Sequence, residues 1–176
     1  MLDESSHGWG FAALPTRCPT AFLCYTLRAM AEVIPIGSDH AGYQLKERLI
    51  GELRALGYEP LDLGTHSPES TDYPDFAHKV AEQVEHHDAD RGVLLCGSGL
   101  GMSYAANRHP GVRAAVAWSP EVAKLAREHN DANILILPAR FVSEDEGVEI
   151  LKTWLDTQFA GGRHVRRVEK IDRENE

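Results

Sequence analysis

The stretch Gly92-Val93-Leu94-Leu95-Cys96-Gly97-Ser98-Gly99-Leu100-Gly101 contains the pattern on which the fold prediction rests. Its first five residues form an apolar run without interruption, which is typical of a strand buried on both faces of a parallel sheet. The glycines that follow allow a tight backbone turn. A short helical pattern then covers residues 101–107, so the stretch predicts a strand, a glycine-rich loop and a helix in direct succession.

Short apolar runs and helical patterns alternate on both sides of this stretch. They predict further strands at residues 33–38, 59–63, 113–118 and 134–137, and further helices at residues 43–56, 72–84, 120–129 and 144–159. Pro35 suggests an edge position or an irregular start for the first strand, because proline has no N–H to offer a neighbouring strand. Gly57 and Gly161-Gly162 are expected to end the first and last of these helices. The alternation predicts an α/β fold, a Rossmann-like three-layer sandwich with a five-stranded parallel sheet.

Charge and apolar patterning exclude several classes of protein. The 176 residues carry 18 Lys and Arg against 27 Asp and Glu, a net charge of −9. Nucleic-acid binding and adhesion to anionic membranes both need a basic surplus, so we expect neither partner. No apolar run approaches the roughly 20 residues of a membrane-spanning helix. A small anionic ligand remains compatible with this charge, because a few local arginines can hold a phosphate.

The cysteines indicate a reducing compartment. Cys18, Cys24 and Cys96 are too few and too irregular for a disulfide framework, so we expect a cytoplasmic protein. They form no C-x-x-C pair and no Cys/His cluster with zinc spacing, so we expect no metal.

Residues 1–31 differ from the rest of the chain. Prolines and glycines interrupt them, and Asp3 and Glu4 stand where a signal peptide would carry Lys or Arg. We therefore expect a disordered extension, or a non-native start with the natural one at Met30. Residues 32–176 are expected to form the functional domain.

Ligands of doubly wound sheets bind beyond the carboxyl ends of the strands, and chemically capable residues occur at those positions. The loop after Cys96 has successive N–H groups that suit an anion. It is not a P-loop, because no Gly-Lys-Ser/Thr follows. It is not a good dinucleotide motif either, because Met102 stands where a third glycine would fall. Cys96 is either a packing residue or a thiolate base. Asp39 and His40 follow the first strand and either cap the next helix or bind a ligand.

Two further groups of residues leave similar alternatives. His129-Asn130-Asp131 either ends a helix favourably or supplies an acid/base imidazole. Arg163, His164, Arg166 and Arg167 form a basic cluster that is either a solvated tail or a phosphate site. If the segment is helical, Arg163 and Arg167 share a face and can bind one phosphate together.

Taken together, these motifs resemble the type B ribose-5-phosphate isomerases, a family that also includes galactose-6-phosphate and allose-6-phosphate isomerases. The resemblance extends from about Glu32 to the C-terminus. It rests on the motifs Gly37-Ser38-Asp39-His40-Ala41-Gly42, Thr71-Asp72-Tyr73-Pro74, Cys96-Gly97-Ser98-Gly99-Leu100-Gly101, Ala105-Ala106-Asn107, His129-Asn130-Asp131-Ala132-Asn133 and Gly161-Gly162-Arg163-His164.

The resemblance implies an aldose–ketose isomerase that works through a cis-enediolate without metal or cofactor. Some family members use the Cys96 equivalent as the base, whereas others place a Glu at the position of Met102, so this sequence favours Cys96. The implied catalytic residues are Cys96, Ser98 and His129. The implied substrate-binding residues are Asp39, His40, Tyr73, Gly97, Gly99, Leu100, Gly101, Asn130, Arg140, Arg163 and Arg167.

The resemblance also implies a phosphorylated sugar substrate and a homodimer, or a dimer of dimers, with sites shared between subunits. The favoured reaction interconverts ribose 5-phosphate and ribulose 5-phosphate. The alternatives are isomerisation of galactose 6-phosphate, allose 6-phosphate or a tetrose phosphate, and a non-catalytic sugar-phosphate-binding module.

Overall fold

The computed structural model of the protein describes residues 31–171, which contain five strands and six α-helices. The strands β1 to β5 span Val33–Ser38, Glu59–Asp62, Gly92–Cys96, Ala114–Val116 and Ile134–Pro138. The helices α1 to α6 span Tyr43–Ala55, Tyr73–Glu85, Leu100–Ala106, Pro120–Asn130, Glu144–Asp156 and Val165–Val168, and a 3₁₀ turn at Gly162–His164 precedes α6.

All five strands pair in parallel, in the order β2-β1-β3-β5-β4. The chain leaves β1 toward one edge of the sheet and leaves β3 toward the other. The carboxyl ends of these two neighbouring strands therefore form a topological switch point, where a crevice opens in folds of this kind.

Two apolar cores cover the faces of the sheet. On one face, α1 and α5 pack through side chains such as Leu49, Leu53 and Trp154, each fully buried. On the other face, α2 and α3 pack through Val80 and Met102, which are also fully buried. The sandwich of helices, sheet and helices confirms the predicted fold class.

The edge position suggested for the first strand is wrong, because β1 lies inside the sheet, between β2 and β3. The pairing of β1 with β3 starts only at Ile36, which faces Val93. Pro35 therefore stands at the margin of that ladder, where its missing N–H leaves the regular pairing intact.

The end predicted for the last long helix is also wrong. The helix α5 stops at Asp156, because Thr157 adopts an extended conformation, with φ −86° and ψ 132°. Gly161-Gly162 instead shapes the turn before α6, with positive φ at both glycines. The helix α4 ends at Asn130, one residue later than predicted, and Asp131 caps it with a left-handed φ of 47°. Gly57 follows α1 with φ 89°, as the sequence predicted.

The expectations for residues 1–30, including Cys18 and Cys24, fall outside the described residues. Between residues 31 and 171, no helix combines the length and apolar character needed to cross a membrane.

Candidate active site

A cavity of about 270 Å³ opens at the switch point, beyond the carboxyl ends of β1 and β3. Three loops build it, one after β1, one after β3 and one after β5, and Tyr73 closes it from the start of α2. Its lining residues are Asp39, His40, Ala41, Tyr73, Cys96, Gly97, Ser98, Gly101, Arg140 and Phe141. Eight of the residues that the sequence singled out are thus brought to one place.

Asp39 forms hydrogen bonds in the turn after β1 and also lies at the cavity. Its carboxylate accepts hydrogen bonds from the backbone N–H of Ala41 at 2.9 Å and of Gly42 at 3.1 Å. The side chain therefore shapes the turn into α1, although Gly42 is the residue at the N-cap. Asp39 is buried and also lines the cavity. A fixed carboxylate at the cavity wall suits a ligand hydroxyl.

Cys96 lies at the carboxyl end of β3, with 4% of its surface exposed. Its Sγ accepts a hydrogen bond from the backbone N–H of Gly99 at 3.2 Å. Gly99 has φ 77°, a conformation that favours glycine and that turns this N–H toward the sulfur. A hydrogen-bond donor in this position favours negative charge on the sulfur.

Two glycines let large side chains close on either side of the loop. A Cβ at Gly97 would stand 3.0 Å from Arg140 Nε and 3.1 Å from Cζ, so the guanidinium lies directly on the glycine. A Cβ at Gly101 would stand 2.6 Å from Tyr73 Cζ, so the tyrosine ring lies equally close there. Because neither glycine has a side chain, the Arg140 guanidinium and the Tyr73 phenol can lie close to the loop, at the cavity that holds Cys96.

His40 is held by a loop from another part of the chain. Its Nδ1 accepts a hydrogen bond from the backbone N–H of Thr71 at 3.2 Å. Thr71 lies two residues before α2. This contact therefore joins the end of β1 to the start of α2.

Six predicted residues do not line this cavity. Gly99 and Leu100 lie in the glycine-rich loop, while His129, Asn130, Arg163 and Arg167 lie on α4 and the C-terminal segment. The rings of His129 and His164 stack at 4.4 Å with an angle of 6° between their planes. Burial lowers the pKa of His164, and the electrostatic influence of His129, Arg163 and Arg167 lowers it further. A single chain therefore carries two separate groups of candidate residues.

Two lining residues were missed from the sequence. Ala41 follows Asp39-His40, and Phe141 follows Arg140 with 73% of its surface exposed. Apolar residues in loops give little signal, but their places directly after predicted site residues could have marked them. Met102 is fully buried in the core beneath α3, so position 102 offers no polar group to the cavity.

A further polar group lies apart from the cavity lining. Glu47, Asp62 and His66 place ligand-type atoms within 4.8 Å of one another. The fully buried Lys46 donates to Glu47 Oε1 at 2.8 Å and to Asp62 Oδ2 at 2.5 Å. Its ammonium group therefore supplies the positive charge that these carboxylates require.

Comparison with known proteins matches the same part of the chain. The model of the Ribose/Galactose Isomerase family matches residues 34–171. The ribose-5-phosphate isomerase B of Escherichia coli is 44% identical over 138 residues, which cover 78% of this chain and 93% of the relative.

Solved structures agree in fold. The Clostridium thermocellum ribose-5-phosphate isomerase B matches with a TM-score of 0.78 and 54% identity, over 80% of this chain and 95% of that one. The Mycoplasma genitalium ribose-5-phosphate isomerase B, solved with bound ribulose-5-phosphate, matches with a TM-score of 0.77 and 43% identity, over 81% of this chain and 95% of that one. These matches confirm the resemblance found in the sequence, and the chain belongs to the Ribose/Galactose Isomerase family.

Proposed function

We propose that the protein interconverts ribose 5-phosphate and ribulose 5-phosphate. The observation that carries the proposal is the cavity at the switch point, where a cysteine held by a backbone N–H lies beside Arg140 and His40. Family membership supports the reaction class. The relative from Mycoplasma genitalium, which binds ribulose-5-phosphate, supports this substrate pair.

In the proposed reaction, the Cys96 thiolate removes the proton from C2 of the open-chain aldose. The electron pair moves into a C1–C2 double bond, and the carbonyl oxygen at C1 gains a proton to give the cis-enediol, or stays charged as the enediolate. The C2 hydroxyl then loses its proton as the carbonyl forms at C2, and this proton balances the one gained at O1. The proton held by Cys96 returns to C1, which yields the ketose with no net oxidation. A positioned base of this kind contributes roughly 10²–10⁴-fold to the rate.

The proposed mechanism needs donors for the oxygen that becomes charged. We assign this role to the cavity-lining residues of the loop, through the backbone N–H groups of Gly97, Ser98 and Gly101 and the Ser98 hydroxyl, while the Gly99 N–H donates to Cys96 Sγ. Loss of one such donor costs roughly 10²–10³-fold in rate, so this stabilisation is as important as the base.

The remaining roles follow the chemistry of each side chain. Arg140 and His40 hold the phosphate from within the cavity of the chain that carries Cys96, and Tyr73 contacts a sugar hydroxyl. The proposal assigns the opening of the sugar ring to His129, with Asp39 nearby. Asn130 binds a hydroxyl, and Arg163 and Arg167 complete the phosphate site.

We further propose that the protein is a homodimer, alone or paired into a dimer of dimers, with each site built from two subunits. His129, Arg163 and Arg167 do not line the cavity of their own chain, so we assign them to the site of a second copy. Large apolar side chains are exposed close to the carboxyl edge of the sheet, with Tyr104 at 66% and Trp118 at 61%. Burial of such side chains against a second copy removes apolar surface from water.

Subunit mixing tests the shared site. Cys96→Ala and His129→Gln are each expected to be inactive, but mixed dimers regain one intact site when one chain gives Cys96 and the other His129. Random mixing is then expected to restore roughly a quarter of wild-type activity, because half of the dimers are mixed and each has one intact site of two. A mixture as inactive as its components contradicts sharing.

The substrate is tested by incubating the purified protein with ribose 5-phosphate and measuring ribulose 5-phosphate. Galactose 6-phosphate and allose 6-phosphate are assayed beside it, because the family includes galactose isomerases. The proposal predicts the highest kcat/KM for ribose 5-phosphate. A higher value for a six-carbon substrate contradicts the substrate assignment but keeps the reaction class.

A further inference from the structure

His40 is a cavity residue whose orientation depends on a loop outside the cavity lining. The loop covers residues 63–72, between β2 and α2. Near its end, the backbone N–H of Thr71 lies 3.2 Å from His40 Nδ1. Within residues 31–171, His40 has no second hydrogen-bond partner, so this single contact defines how the ring presents its two nitrogens.

The contact determines where the ring proton lies. A backbone N–H can only donate, so Nδ1 has to offer a lone pair, and the one proton of a neutral imidazole then lies on Nε2. Nε2 is on the side of the ring away from Thr71. His40 is a lining residue of the cavity, so we assign this N–H to a ligand oxygen there.

The loop is fixed at both ends to the end of β1. At its start, the Thr65 N–H donates to the Ser38 carbonyl at 2.9 Å, and Thr65 is itself buried. Thr65 Oγ1 then bonds the backbone of Ser67, whose Oγ accepts from the Glu69 N–H at 3.0 Å. These local bonds stiffen the loop that delivers the Thr71 N–H to His40.

The amide of Thr71, and not its hydroxyl, makes the contact. In the described part of the chain, Thr71 Oγ1 is buried and has no hydrogen-bond partner. A substitution that keeps the backbone and removes the hydroxyl therefore leaves the donor to His40 in place, which provides a matched control.

We propose that Thr71 is a positioning residue, whose backbone N–H holds His40 as the Nε2–H tautomer so that His40 binds the substrate as a neutral hydrogen-bond donor. The identity of the ligand rests on the proposed function. The tautomer is a property of the protein alone, so the two claims can fail separately.

The direct test is nitrogen-15 NMR of the full chain labelled at its nine histidines, with His40 signals identified by their loss in His40→Asn. In the neutral ring we expect a pyridine-like shift at Nδ1 and a pyrrole-like shift at Nε2. A pyrrole-like Nδ1 overturns the proposal. This readout does not depend on catalytic activity.

Two variants of Thr71 separate the amide from the side chain. Thr71→Val keeps the N–H and the shape of the side chain, so the His40 shifts are expected to match the wild type. Thr71→Pro removes the N–H, so the shifts are expected to report a mixture of tautomers. The KM for ribose 5-phosphate is then expected to be roughly five- to tenfold higher in Thr71→Pro than in Thr71→Val, with a smaller change in kcat.

The controls keep the outcomes distinct. Far-UV circular dichroism tests whether Thr71→Pro is folded. If the variant is unfolded, the His40 nitrogen shifts of the wild type alone decide whether the tautomer is the one proposed. A folded Thr71→Pro that retains only the Nε2–H tautomer contradicts the role of Thr71. Wild-type protein with the expected tautomer but no turnover of ribose 5-phosphate contradicts the proposed function and not the tautomer.

Discussion

The stack of His129 and His164 shows how single residues set the chemistry of the second candidate group. The rings lie parallel at 4.4 Å, and two arginines stand close by in sequence. Two stacked imidazoles beside guanidinium groups cannot both carry a proton without repulsion. The lowered pKa of His164 follows from its burial and from these positive neighbours. At neutral pH, this group therefore holds His164 uncharged.

This environment predicts a pH dependence of stability. The pKa of folded His164 lies below the ordinary value of 6.5, so the fold favours the neutral ring. At a pH above that value, the His164 ring is neutral in both the folded and the unfolded chain. The contribution of this ring to the free energy of unfolding is then at its maximum. As the pH falls from about 6.5 toward the folded pKa, the unfolded chain binds the proton first and the free energy of unfolding decreases.

The variant His164→Asn is expected to remove the part of the decrease in the free energy of unfolding that comes from protonation of His164. Thermal unfolding followed by circular dichroism between about pH 7 and pH 5 should show the wild-type Tm falling more steeply than that of the variant. His86→Asn, which removes an exposed histidine, serves as the control. If the plots of Tm against pH for the wild type and His164→Asn are parallel, the buried ring does not determine the pH dependence of stability between about pH 7 and pH 5.

At the scale of elements, local pattern predicted most of the structure. The run 92–96 and its glycines are a strand and a loop in the structure, because the apolar run and the glycines both favour them. The interior place of β1 could not be predicted, because strand order depends on pairing between distant segments and Pro35 gave a misleading local signal. The early end of α5 at Asp156 was missed because no glycine or proline marks it.

The glycine-rich loop and α2 give the next prediction. Gly101→Ala places a Cβ 2.6 Å from Tyr73 Cζ, so either the ring or the loop has to move. We expect roughly 1–3 kcal/mol of lost stability and at least a tenfold decrease in kcat/KM, because Tyr73 lines the cavity. Denaturant unfolding and steady-state kinetics measure the two effects.

Gly51→Ala is the matched control, because a Cβ at Gly51 in α1 meets nothing within 4 Å. It is expected to raise stability by up to about 1 kcal/mol through helix propensity, with activity unchanged. If Gly101→Ala behaves like Gly51→Ala, the close approach of Tyr73 does not shape the site.

At the scale of the whole molecule, the rule that ligands bind beyond the carboxyl ends of the strands predicted one half of the candidate site. Asp39 and Arg140 come after β1 and β5, Cys96 is the last residue of β3, and parallel strands bring their carboxyl ends to one edge. His129 and Arg163 could not be placed in the same way, because they lie on α4 and the C-terminal segment. No predicted strand ends beside these residues, so the rule for parallel sheets did not connect them to the cavity.

The boundary of the functional domain leads to a prediction for the full chain. The family match begins at residue 34, and we propose that residues 1–29 are dispensable. A chain that starts at Met30 is expected to keep the kcat, KM and Tm of the full chain within experimental error. Loss of turnover in a folded truncation contradicts this boundary and assigns a role to the extension.

The central claim is that Cys96 is the base of an aldose–ketose isomerase. Conversion of ribose 5-phosphate to ribulose 5-phosphate by the purified protein, with Cys96→Ala measured in parallel, tests it most directly. We predict turnover by the wild type and a loss of at least roughly 10²-fold in the variant, with the fold and substrate binding preserved. Turnover by Cys96→Ala at the wild-type rate would contradict the account, because the proton would then be moved by another group.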